Sequence, residues 1–70
     1  MSSICQGKSS WPELVGVKGE TAEETIEREN PLVNAKIVLE GTPVIENFDC
    51  RRVWVWVDEN NVVTCVPVIG

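Results

Sequence analysis

The side chains able to do covalent or proton chemistry in this sequence are three cysteines, Cys5, Cys50 and Cys65, and eleven carboxylates; histidine is absent. A thiol nucleophile needs a base beside it, and the usual base is imidazole. A zinc knuckle needs closely spaced Cys or His ligands, and no C-x-x-C occurs. Both features point away from an enzyme and from a metal site. Glu20, Glu23, Glu24 and Glu27 crowd one stretch, which reads as the solvated face of a helix rather than a substrate-binding cluster. Six Lys and Arg against eleven Asp and Glu leave a net charge of −5, which disfavours nucleic acid and an anionic membrane as partners. No apolar run approaches the 18 residues or so of a membrane span.

The elements that must position these groups follow from periodicity. Trp11-Pro12-Glu13-Leu14 puts a core anchor beside a proline that biases Trp11 toward extended backbone. From about Gly19 to Asn30, Ala22, Ile26 and either Thr25 or Glu29 recur at helical spacing, and Pro31 stops the helix. Ala35–Leu39, Val53–Val57 and Val62–Val66 read as strands, the last ended by Pro67. Asp58-Glu59-Asn60-Asn61 is turn chemistry, which predicts that the last two strands pair antiparallel. The first two strands are expected to be neighbours joined by a wide loop.

That loop, GTPVIENFDCRR over residues 41–52, is the anomaly. It is too long for a hairpin turn, yet Pro43, Val44 and Ile45 argue against a floppy segment. Long loops without secondary structure in compact domains are usually functional or disordered. A stiff, extended, exposed segment held at both ends is what a protease cleft accepts, because the cleft pairs with it as an added strand and sorts its side chains in pockets.

At this point the residues resemble a known family, the potato inhibitor I family. The resemblance is carried by Trp11-Pro12-Glu13-Leu14-Val15-Gly16, the helix end Ile26-Glu27-Arg28-Glu29-Asn30-Pro31, Gly41-Thr42-Pro43-Val44, Arg52-Val53, Val57-Asp58 and the closing Val66-Pro67-Val68-Ile69-Gly70. It spans positions 5 to 70 in order. It implies an α+β fold, one helix on a small mixed β-sheet with a long exposed reactive-site loop, and a single inhibitor domain over 1–70 with an N-terminal arm at 1–10. The reactive bond would be Glu46–Asn47, with Thr42, Pro43, Val44, Ile45, Phe48 and Asp49 as loop contacts. The resemblance also implies a disulfide between Cys5 and Cys50. The chain-entropy model gives about 4 kcal/mol for closing a loop of roughly 46 residues, a large share of such a domain's stability. Cys65 would then be left free, or pair between molecules.

Family members commonly place Thr before the specificity residue and an acidic group after it, both held from beneath by two Arg side chains. Here those positions are Ile45, Asn47, Arg52 and Trp54. The expectation is a weakened footing in which Arg52 reaches the Asn47 amide or the terminal carboxylate of Gly70, and Arg51 shares the work. The function expected is reversible, substrate-like inhibition of a serine protease, either subtilisin-like or a glutamyl endopeptidase, with no cofactor. The alternative is a non-inhibitory binding, defence or storage relative using an exposed Trp54/Trp56 patch. A monomer is expected, with a Cys65-linked dimer left open. The polar start MSSICQGKSS carries no signal-peptide pattern, which predicts cytosolic synthesis or a mature extracellular or vacuolar form.

Overall fold

The computed structural model describes residues 5–45 and 47–70; the first four residues of the expected arm, and Glu46, lie outside them. A short 3-10 helix at Pro12–Leu14 precedes one α-helix, α1 (Gly19–Glu29), and two strands, β1 (Asn34–Leu39) and β2 (Arg52–Val57). The helix forms where the sequence predicts. Ala22 and Ile26 are buried with Gly19, and Glu20 sits in the first turn, where a carboxylate complements the helix dipole. Its first residue has to be small. A Cβ on Gly19 would stand 2.7 Å from Asn61 Oδ1 and 3.2 Å from Val57 Cγ1.

β1 and β2 pair in parallel, with Asn34 opposite Arg52 and Leu39 opposite Val57. Alternation on β2 buries Val53, Val55 and Val57 and leaves Arg52, Trp54 and Trp56 half-buried on the other face. The core lies between the inner face and the helix: Trp11, Leu14, Ala22, Ile26, Val33, Ala35, the three β2 valines, Val63 and Ile69. Trp11 is wholly buried, as a core anchor should be.

The expected third strand is reduced to isolated bridges. Val63 pairs antiparallel with Val57, but Val62 pairs with Lys18. The cause is competition for the backbone. Val63 donates its N–H to Val17 O and accepts from Gly16 N, both at 2.8 Å, while Thr64 N reaches across to Trp56 O at 2.9 Å. The piece is thus flanked on both sides by short partners, and Pro67, lacking an N–H, prevents it from lengthening. The turn before it forms as its composition predicts. Asp58 Oδ1 accepts the N–H of Asn60 and of Val62, and Asn61 takes a left-handed φ of 63°. Beyond Pro67 the chain returns to bridge Ser10 through Val68 and Val53 through Ile69. The sheet is therefore mixed, as expected, with a parallel centre and antiparallel fringes.

The arm is fastened to the helix end. The buried Asn30 donates through Nδ2 to Gln6 O at 3.0 Å and Lys8 O at 2.9 Å, and its Oδ1 accepts from Leu32 N. Gly7 passes over that amide with φ +81°, where a Cβ would meet Asn30 Nδ2 at 2.8 Å. Lys8 bridges Glu13 at 2.6 Å and Glu29 at 2.9 Å, and Glu29 also accepts the Trp11 indole N–H at 3.0 Å. A disulfide joins Cys5 to Cys50 with their Cα atoms 5.3 Å apart, tying the arm to the end of the long loop.

Two outcomes follow. A non-reducing peptide map should recover Cys5 linked to Cys50, and the unfolded oxidised protein should titrate one thiol, Cys65. Reduction should remove about 4 kcal/mol and lower Tm by more than about 10 °C, read by calorimetry. The surface latch should also depend on pH. Hydrogen bonds from Lys8 hold the Glu13 and Glu29 carboxyls below their ordinary range, and the same bonds raise the Lys8 ammonium. Carboxylates depressed on folding stabilise above their unfolded pKa, and that stability is lost as pH falls through the folded value. Acid should therefore lower Tm more in the wild type than in Lys8→Met, with the difference vanishing below the carboxylate range.

Candidate functional site

The connection between β1 and β2 runs from residue 40 to residue 51. It begins with a turn in which Thr42 N donates to Leu39 O at 3.1 Å and Gly41 adopts φ +88°. It ends with a second turn, in which Arg52 N donates to Asp49 O at 3.2 Å and Arg51 N to Asp49 Oδ1 at 2.8 Å. Between the turns, Thr42, Pro43, Ile45, Asn47, Phe48 and Asp49 are exposed, and Val44 is half-buried. Ile45 is 70% exposed and Phe48 58%, more than any other large apolar side chain among the described residues.

Arg52 grips this segment from β2. Its Nη2 donates to the Asn47 backbone oxygen and to Asn47 Oδ1 at 3.3 Å, and its Nε donates to Gly70 O at 2.9 Å. Gly70 in turn donates its N–H to the Arg52 backbone O at 2.9 Å, so Gly70 is joined to Arg52 twice, once through the side chain and once through the backbone. The Arg52 guanidinium lies 4.7 Å from the centre of the Trp54 ring. Cys50, next to the second turn, is half-buried and bonded to the buried Cys5. Among the described residues, these anchors fall on the C-terminal side of position 46.

The structure thus brings Asn47 and Gly70 together on Arg52 and, separately, joins the two cysteines. Arg51 is placed differently from expectation. Successive residues entering a strand point to opposite sides, and Arg51 is exposed. Its side chain forms no bond to the loop among the described residues; instead it borders an open polar cavity of about 370 Å³ with Asn34, Lys36, Asp49 and Arg52. Trp54 and Trp56 are not the exposed aromatic pair expected. Both are half-buried, and the Trp54 ring is faced by Arg52. Cys65 is an exposed free thiol. The assignment of Glu46 as specificity residue lies outside the described residues.

Several footing contacts escaped the sequence. Glu27 Oε2 accepts the Ala35 N–H at 2.9 Å, and Glu20 Oε1 accepts from Asn61 Nδ2 at 2.6 Å. With Glu29 they turn part of the acidic helix into fasteners rather than a merely solvated face. Only Asn30, a polar residue at a helix end before proline, offered a sequence signal for such a role.

A small acidic body that holds an apolar, exposed segment by a disulfide and an arginine clamp defines a class: a protein that presents a loop to another molecule. Comparison with known proteins supplies the family. The model described as the potato inhibitor I family matches residues 4–70. Similar to this chain are the inhibitor of trypsin and hageman factor from Cucurbita maxima, 54% identical, and the Glu S. griseus protease inhibitor from Momordica charantia, 56% identical; each alignment covers 97% of this chain and 100% of the relative. The crystal structure of the bitter gourd trypsin inhibitor superposes with a TM-score of 0.94 at 53% identity, covering 97% of this chain and 100% of that one. The chain belongs to the potato inhibitor I family, a family of protease inhibitors, and is not an enzyme.

Replacing Arg52 with Met keeps the aliphatic stem and removes the donors to Asn47 and Gly70. Hydrogen bonds to charged groups contribute about 1.5–3 kcal/mol each, less where water competes. Limited proteolysis of Arg52→Met should cut the 41–52 segment about ten-fold faster or more, with the C-terminal residues loosening together in hydrogen exchange.

Proposed function

We propose that this chain inhibits a serine protease reversibly, by offering residues 41–52 to the active site as a substrate, with Glu46–Asn47 as the reactive bond. The observation that carries the reading is the pair of strongly exposed apolar side chains, Ile45 and Phe48, flanking the bond on a segment clamped at Asn47. Apolar side chains left this exposed on a fixed backbone suit a cleft that buries them.

The clamp explains how an offered substrate inhibits. Attack on the Glu46 carbonyl releases the Asn47 amine as leaving group. Arg52 holds the Asn47 carbonyl and side-chain amide, and the neighbouring turn and disulfide limit how far the new chain end can travel. The amine stays near the acyl group at high effective concentration, so the bond re-forms in competition with water. Pre-ordering the segment also reduces the entropy lost on docking.

Specificity then falls to Glu46. A carboxylate buried without a cationic or hydrogen-bonding partner is costly, so an acid-lined pocket rejects it and a pocket built for glutamate accepts it. The target class is a glutamate-preferring endopeptidase first and a broad subtilisin-like enzyme second. In support, the similar Momordica protein is named for a Glu S. griseus protease and the similar Cucurbita protein for trypsin. One scaffold thus serves different pockets.

Residual activity should be measured for a glutamyl endopeptidase, subtilisin, trypsin and chymotrypsin titrated with the protein. The expected order is strongest inhibition of the first and negligible inhibition of trypsin. Glu46→Lys should transfer inhibition to trypsin with a gain of at least about a hundred-fold, the scale of relieving an unpaired buried charge. Prolonged incubation should yield one slow cut, between Glu46 and Asn47. A primary cut at another bond of the loop, or trypsin inhibition unchanged by Glu46→Lys, would refute the assignment.

A further inference from the structure

We propose that Trp54 is a positioning residue for the loop: its indole fixes the orientation in which the Arg52 guanidinium grips Asn47. This rests on the reading of residues 41–52 as the presented segment. Arg52 and Trp54 are two residues apart on β2 and share its outer face. The edge of the guanidinium is used by the Asn47 oxygens and Gly70 O. Its central carbon lies over the Trp54 ring, 4.7 Å from the ring centre, so the cation has the ring on one side as well as acceptors at its edge. A planar cation held at its edge alone can still tilt and exchange its acceptors for water. Held at edge and face together, it has one orientation.

The ring does this at little entropic expense. Trp has only two side-chain torsions and here is half-buried on a strand, whereas Arg52 has a long stem whose rotamers must all be restrained for the grip to persist. An aromatic face also attracts the cation directly and keeps water from one side of the hydrogen-bonded plane. Across the ladder, Lys36 of β1 stands opposite Trp54. Among the described residues, the side-chain contact found for Trp54 is with Arg52. Its effect on the loop passes through Arg52.

The test is a double-mutant cycle with an independent spectroscopic reading. In the wild type, the Arg52 Nε–H should give a distinct NMR signal that exchanges slowly with water and is displaced by the ring current of Trp54. Trp54→Phe, which keeps a smaller ring, should retain a slowly exchanging signal; Trp54→Leu should lose it. Inhibition of the most sensitive protease should weaken about three- to thirty-fold in Trp54→Leu, the span a cation–π contact supports, with faster cleavage of the loop and partial recovery in Trp54→Phe. In an Arg52→Met background the same Trp54→Leu change should have almost no effect on inhibition. Thermal unfolding checks each variant; if the Leu variant is unfolded, Trp54→Met takes its place. An unchanged Arg52 signal in the Leu variant, or an equal loss of inhibition with and without Arg52, overturns the proposal. If the wild type inhibits no protease while the NMR pattern is as expected, the inhibitory reading fails and the positioning role stands.

Discussion

Because β1 and β2 run in the same direction, the chain leaves β1 at Leu39 and must begin β2 at Arg52, opposite Asn34. Those points lie at opposite ends of a six-residue ladder, roughly 17 Å apart. A parallel connection of this kind needs about a dozen residues and is usually made by a helix, which satisfies its own backbone. Here residues 40–51 make the return without one. The length of the loop is thus a requirement of strand direction, and its exposure follows from having no helix to bury it. Everything that makes the loop usable is a means of holding a connection that carries no regular structure of its own.

Beyond the two turns at its ends, the loop is held from β2 and from the arm. Arg52 is the first residue of β2, so the ladder that creates the need for a long return also supplies the side chain that grips it. The disulfide adds a covalent tie at Cys50, and the arm it leads to is fastened to the helix end by Asn30 and Lys8. A path of contacts therefore runs from the helix through the arm and Cys5 to the residues just beyond Asn47. Such a small core stabilises only a limited amount of structure, and a covalent tie compensates where apolar burial is scarce.

The acidic surface takes part in the same economy of fasteners. Glu27 receives the first inward N–H of β1, Glu20 reaches the turn after β2, and Glu29 joins Lys8 to the Trp11 indole. Each contact is exposed or only part-buried and individually weak. Together they lie along the helix side that a count of charges would assign to water. The loop is where the scaffold leaves large apolar side chains, Ile45 and Phe48, unburied, and relatives of similar sequence are named for different proteases.

Much was legible in the linear pattern because it depends on local chemistry. The helix over Gly19–Glu29, its end before Pro31, the alternation of β2, the Asp58–Asn61 turn and the burial of Trp11 all follow from spacing and backbone preference. The exposed stretch around Pro43 and Phe48 stood out as too apolar and too long for a turn. Tertiary structure alone decided the rest. Val62–Val66 has strand composition, yet it forms only bridges because two neighbours claim its backbone. Arg51 and Arg52 are adjacent and alike in type, yet among the described residues it is Arg52 whose side chain bonds Asn47. Trp54 reads as an exposed aromatic, yet Arg52 lies against it. Those outcomes rest on which face a residue occupies and what stands across from it, and contacts between segments distant in sequence have no signature in local residue spacing.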